Sequence, residues 1–193
     1  MEVSETELPG VLLVQPSVHG DERGFFLETF RQVEYAAAGI AGPFVQDNLS
    51  RSRRGVLRGL HFQHPHGQGK LVQVLEGEVF DVAVDVRLGS PFLGKWVGQM
   101  LSSETKQQLY IPPGFAHGFL VVSAEALFSY KCTEYYDPAS ELTLRWDDPA
   151  LGIEWPACDV LVSAKDRAAI TLDELQRASM LPHRERDGTR THR

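Results

Sequence analysis

A chain of 193 residues is long enough for one domain with a substantial core, and 42% hydrophobic with 23% charged residues is ordinary for a globular protein. Its net charge of -7 argues against broad nucleic-acid binding, so an anionic ligand needs a local basic pocket. No apolar run approaches the roughly 20 residues of a membrane span, and the acidic start Met1-Glu2-Val3-Ser4-Glu5 lacks the regions of a signal peptide, so a cytoplasmic protein that engages no membrane is expected.

In chain order, the first clear element is a helix from Arg31 to Ala38, which carries an alanine run and stops at Gly39. Val56 to Gln63 is strand-like and is followed by Gln68-Gly69-Lys70 and the apolar run Leu71 to Leu75, with Glu76-Gly77 as a turn. Phe80, Val82, Val84 and Val86 then alternate with Asp81, Ala83 and Asp85, which gives one apolar face and one mixed face carrying two carboxylates. Leu88-Gly89-Ser90-Pro91 breaks that strand, and Lys95 to Leu101 and Gln107 to Ile111 read as the next two. Pro112-Pro113-Gly114 turns the chain before Ala116 to Val122, and Ala126 to Thr133 and Leu142 to Trp146 complete the set. Thr171 to Glu174 has the form of a capping box, with Leu175 on the apolar side of a second helix. His183 to Arg193 is polar, charge-mixed and expected to be a frayed tail. Short strands at this spacing predict an all-β sandwich or barrel with few helices.

Several side chains could carry chemistry. Arg58, His61 and Lys70 fall on consecutive strand-like segments, and a neutral imidazole beside two cations suits proton abstraction next to a carbonyl on a phosphorylated substrate. Three surface charges beside a satisfied histidine is the competing reading. His117 is flanked by glycines in Gly114-Phe115-Ala116-His117-Gly118-Phe119, which permits close approach of backbone to a ligand or, alternatively, packs a histidine at a turn. Tyr130 shares a strand face with Phe128 and Cys132, where a phenol could donate a proton or simply serve as a strand aromatic. His64-Pro65-His66 has the form of a metal pair, but Pro65 and Gly67 make it a loop in which the rings need not converge. His19, His183 and His192 read as solvated, and the two cysteines, Cys132 and Cys158, have neither metal nor disulfide spacing.

Seven segments in order resemble the dTDP-4-dehydrorhamnose 3,5-epimerase family: Asp21 to Glu28, Gln46 to Ser50, Leu57 to Gln63, Phe80-Asp81-Val82, Ala116 to Phe119, Tyr130 to Thr133, and Ser163 to Asp166. The similarity runs from about Gly10 to Pro182. It implies a cupin-type double-stranded β-helix, a jelly-roll barrel, as a single domain over residues 1–182 with the tail at 183–193. It also implies a homodimer that exchanges N-terminal strands, and a metal-free site.

By this resemblance His61 is the general base and Asp166 the partner that fixes its tautomer. Lys70 stabilises the enolate oxygen formed from a 4-keto sugar, and Tyr130 returns a proton from the opposite face. Arg23, from the partner subunit, and Arg58 match positions that hold the diphosphate, and Tyr136 matches an aromatic that stacks on thymine. Phe26, Glu28, Gln46, Asn48, His117, Glu141 and Lys165 match other ligand-contacting positions, and Asp81 could orient His117. No redox cofactor is required, and the chain has no glycine-rich dinucleotide fingerprint.

The expected substrate is therefore a dTDP-4-keto-6-deoxyhexose, epimerised at C3, C5 or both. The other readings are a single-centre epimerase of a modified-deoxysugar pathway, a non-catalytic sugar-nucleotide binder on the same scaffold, and a metal-dependent cupin. Ser90-Pro91-Phe92-Leu93-Gly94 departs from the family by placing its aromatic one position early.

Overall fold

A computed structural model of the chain describes residues 1–40 and 42–184. The N-terminal strands are β1 (Glu2–Glu5), β2 (Leu12–Gln15), β3 (Val18–Asp21) and β4 (Gly24–Leu27), followed by helix α1 (Gln32–Ala37). The barrel strands follow: β5 (Gln46–Arg53), β6 (Leu57–Gln63), β7 (Lys70–Glu76), β8 (Glu78–Asp85), β9 (Trp96–Ser102), β10 (Gln108–Ile111), β11 (Phe115–Val121), β12 (Glu125–Cys132) and β13 (Glu141–Thr143). Helices α2 (Ala164–Arg167) and α3 (Leu172–Arg177) come last.

Two antiparallel sheets face each other, ordered β1-β2-β10-β7-β12-β5 and β13-β6-β11-β8-β9, and the β3–β4 hairpin pairs with neither. This is the jelly-roll arrangement of a cupin. The inward core holds Val72, Val74, Val79, Ala83, Phe115, Phe119 and Phe128. Phe119 and Phe128 stack with centroids 4.0 Å apart. Fully burying a side chain of this size is worth roughly 1.5–3 kcal/mol, so these rings are a principal tie between the sheets.

The apolar face of β8 does not point into the barrel. Val82, Val84 and Val86 pack instead against Leu144, Leu151, Leu175 and Leu181 of the C-terminal segment. The mixed face is the one turned inward, and Asp81 and Asp85 are both 0% exposed. Asp85 is held by Arg87 and by the Ser90 hydroxyl at 2.6 Å. In the variant Ser90–Gly94 segment, Phe92 still packs on the barrel core while Leu93 joins the C-terminal cluster.

The helices follow their local signals. α1 is anchored by Tyr35, whose hydroxyl donates to Gln108 Oε1 at 2.8 Å and whose pKa burial pushes up to about 12. Thr171 and Glu174 form the capping box that opens α3. Leu142 to Trp146 yields only the three residues of β13 within it or at its edge, since Leu144 leaves the strand to bridge Ile170. The backbone remains hydrogen-bonded to Leu88 through Pro182 and Arg184, and the rest of the expected tail, residues 185–193 with His192, lies outside the described residues.

Candidate active site

A cavity of about 540 Å³ opens between the two sheets and is lined by Arg58, His61, Lys70, His117, Tyr130, Lys165 and Asp166 among others. Strict strand alternation would put Arg58 and His61 on opposite faces of β6. A register shift prevents this: His117 of β11 pairs with His61, but Phe119 pairs with Arg58, so β6 carries one extra residue between them. The extra residue falls at Gly59, whose φ is +129°. A Cβ there would lie 2.6 Å from the Gly118 Cα and 2.8 Å from the His117 carbonyl oxygen, so only glycine fits. The bulge thereby turns the guanidinium and the imidazole into one space.

Asp166 reaches His61 from the one-turn helix α2, whose first residues are fixed by the Ser163 hydroxyl accepting the Asp166 backbone N–H at 3.1 Å. Its Oδ1 lies 2.6 Å from His61 Nε2, and Asp166 is 3% exposed. Burial pushes the Asp166 carboxyl up, but the hydrogen bond and charge of His61, with Ser163 and Lys165, outweigh it and hold the group below its ordinary 3.8. An ionised carboxylate only accepts, so His61 Nε2 carries the proton of this bond.

Lys70 enters from the opposite sheet. Its Nζ donates to the His61 carbonyl oxygen at 3.2 Å, and burial lowers its pKa against the pull of Cys132, Glu141 and Asp81. His117 gives Nε2 to both oxygens of Asp81, at 3.0 and 2.9 Å. Tyr130 stands on β12, and burial raises its phenol above the ordinary value, so it stays protonated and able to donate.

A second hollow of about 250 Å³ shares His61, Lys70 and Tyr130 with the first and extends past Gln46, Asn48, Tyr136 and Glu141. Gln46 Oε1 accepts the Tyr136 backbone N–H at 2.8 Å, and Tyr136 donates its hydroxyl to Glu141 Oε2 at 2.8 Å. Lys165 Nζ lies 2.8 Å from the same oxygen. Burial raises Glu141, but the bonds from Lys165 and Tyr136 overcome it and hold the carboxyl below its usual value.

The sequence model of the dTDP-4-dehydrorhamnose 3,5-epimerase family matches residues 5–174. The chain belongs to that family. A dTDP-4-dehydrorhamnose 3,5-epimerase of Shigella flexneri is 55% identical over 168 residues, covering 86% of this chain and 93% of that one. A crystal structure of the Legionella pneumophila 3,5-epimerase in complex with dTDP-4-keto-L-rhamnose has a TM-score of 0.93 and 53% identity, covering 96% of this chain and 99% of the other. A 3′-monoepimerase of Streptomyces bikiniensis in complex with dTDP-quinovose has a TM-score of 0.88 at 36% identity, covering 92% and 91%.

The two hollows together gather His61, Asp166, Lys70, Tyr130, Arg58, His117, Lys165, Gln46, Asn48, Tyr136 and Glu141. They do not gather Arg23, Phe26 or Glu28. Arg23 is 85% exposed by side chain and pairs with Asp21 on the free β3–β4 hairpin, where Phe26 is 71% exposed. Glu28 pairs with Arg31. His64 and His66 line a separate cleft with His183, and among the described residues no three His, Cys, Asp or Glu side chains converge to hold a metal. Sequence reasoning missed Ser52, whose Oγ accepts the Arg58 Nε–H at 3.0 Å and so orients the guanidinium. Its signal was the period-two polar stripe Gln46, Asn48, Ser50, Ser52.

Proposed function

We propose that the chain is a dTDP-4-dehydrorhamnose 3,5-epimerase acting on a dTDP-4-keto-6-deoxyhexose. The observation that carries this reading is the His61–Asp166 pair at 2.6 Å in the same cavity as Lys70 and Tyr130. The C–H bonds at C3 and C5 are acidic because each is alpha to the C4 ketone. His61 Nδ1 takes one of these protons, and the bonding pair moves onto O4 as an enolate. The Lys70 ammonium stabilises that oxygen. Tyr130 then gives its O–H proton to the carbon from the opposite face, which inverts the centre. The phenolate regains a proton from solvent and His61 releases its own. The sequence is redox-neutral and calls for no electron carrier.

Arg58, with Arg23 of the neighbouring subunit, holds the diphosphate, Tyr136 stacks on thymine, and Gln46, Asn48, His117, Glu141 and Lys165 contact the rest of the ligand. Arg23, Phe26 and Glu28 act in a neighbouring subunit's cleft, in a homodimer that exchanges the N-terminal β3–β4 hairpin. The exposed Val18, Phe25 and Phe26 on that hairpin support this assembly. The protein works in the cytoplasm; among the described residues no helix is long and apolar enough to cross a membrane.

Reaction at both carbons is favoured over one because identity to relatives named 3,5-epimerases runs from 37% to 55%, with several above 50%, whereas the 3′-monoepimerase reaches 36%. Incubation with dTDP-4-keto-6-deoxy-D-glucose, followed by proton NMR of the product, tests the reading. Inversion at C3 and C5 is expected. Inversion at one carbon assigns a monoepimerase, and no turnover above a buffer blank removes the activity.

A further inference from the structure

The loop that carries Tyr136 runs from Glu134 to Asp137 on the protein surface, where Tyr135 is 64% and Tyr136 50% exposed. Side-chain amides from three other segments hold its backbone. Gln68 Nε2 donates to the Glu134 carbonyl oxygen at 2.9 Å. Gln63 Nε2 donates to the Tyr135 carbonyl oxygen at 3.2 Å, and Gln63 Oε1 accepts the Asp137 N–H at 3.0 Å. Gln46 Oε1 accepts the Tyr136 N–H between them. Four successive residues are thus each pinned by a glutamine.

Gln63 is the centre of this clamp. It ends β6 and is 4% exposed. Its Nε2 also donates to the His66 carbonyl oxygen at 2.8 Å. Two carbonyls face the nitrogen and one N–H faces the oxygen, so the partners call for a primary amide in one orientation. Gln68 precedes β7 and lines the same hollow as Tyr136. The far end of the Tyr136 ring is held by Glu141, and Glu141 pairs with Gln63 in the β6–β13 register. Backbone and hydroxyl of Tyr136 are therefore both anchored to the end of β6. An exposed aromatic on an unpinned loop must be ordered when a ligand stacks on it, and that ordering is subtracted from affinity. In a clamped loop the ordering is complete before the ligand arrives.

We propose that Gln63 and Gln68 are positioning residues that hold the Tyr136 ring ready to stack on the nucleobase, without touching the ligand themselves. The proposal rests on the reading of Tyr136 as the thymine-stacking residue above. Its test is a double-mutant cycle on dTDP binding, read by calorimetry on the full chain. Gln63→Met keeps a side chain of similar length and removes all three bonds. Gln68→Met removes one bond from the same loop and carries the test if Gln63→Met does not fold. Each glutamine variant should weaken dTDP about fivefold in the otherwise unchanged chain. Beside Tyr136→Ala the same change should cost less than about twofold, because the ring being positioned is already gone.

Equal losses in both backgrounds would overturn the proposal, since the glutamines would then touch the ligand or shape the cleft independently of Tyr136. So would dTDP binding within about twofold of wild type by both glutamine variants. A purely structural role would lower the ligand-free Tm in both backgrounds without making the loss of dTDP depend on Tyr136. If Tyr136→Ala alone binds dTDP as tightly as wild type, the stacking reading fails and the proposal with it. If Tyr136→Ala weakens dTDP and the glutamine variants do not, the proposal alone fails.

Discussion

His61 Nε2 lies 2.6 Å from Asp166 Oδ1 across 105 positions of sequence. The histidine stands on a barrel strand and the carboxylate on a one-turn helix of the C-terminal segment. That segment also covers the outer face of β8, so the same packing that closes the second core delivers the partner that fixes the imidazole.

Removing the base should stop the chemistry and spare the nucleotide. General-base catalysis is typically worth about 10²–10⁴-fold, so His61→Ala should lower solvent exchange at both carbons by at least 10²-fold while dTDP affinity stays within a few-fold. Retention of more than about a tenth of the rate would take the role from His61.

Asp166 also makes a prediction about acid stability. Its folded pKa lies below the ordinary 3.8, so its contribution is fully present above that value and fades as pH falls through the folded pKa. The Tm difference between wild type and Asp166→Asn should therefore be constant near neutrality and shrink on acidification below 3.8. A difference independent of pH down to about 2 would contradict the ionised pair.

Phe128 stacks on Phe119, is 1% exposed and forms part of the cavity wall. Phe128→Ala should cost about 3–5 kcal/mol in chemical denaturation. A loss under about 1 kcal/mol would mean that the wall collapses to fill the space.

If Arg23 serves the neighbouring subunit, Arg23→Ala and His61→Ala proteins are each weak alone, yet a mixed dimer holds one site with neither lesion. Co-refolding them should restore up to about half of wild-type activity per heterodimer, by the two-fold repetition of the interface. Absence of recovery in heterodimers verified by mass spectrometry would place Arg23 outside the partner's cleft.

The strands from β6 to β12 were legible because β8 alternates apolar and polar residues, the others read as short strand-like runs, and Gly and Pro punctuate them. The early strands were not. β5 is polar at nearly every position, and β3 and β4 form an exposed hairpin that buries no stripe. α2 is too short to show a period. Lys70 and His61 look like neighbours across a turn, but they belong to opposite sheets and meet across the barrel. The sharing of one cavity by Arg58 and His61 depends on the bulge at Gly59, which alternation alone argues against. The His61–Asp166 pairing came from family resemblance, because no local pattern links positions so far apart.

Base and acid are expected to work from opposite faces of one enolate. Tyr130→Phe removes a hydroxyl and leaves the ring, and proton NMR in D2O with dTDP-4-keto-6-deoxy-D-glucose can follow exchange and configuration at C3 and C5 separately. The variant should still wash deuterium into the substrate while making little inverted product. Loss of exchange and inversion in equal proportion would contradict this, since Tyr130 would then be needed to form the enolate rather than to capture it.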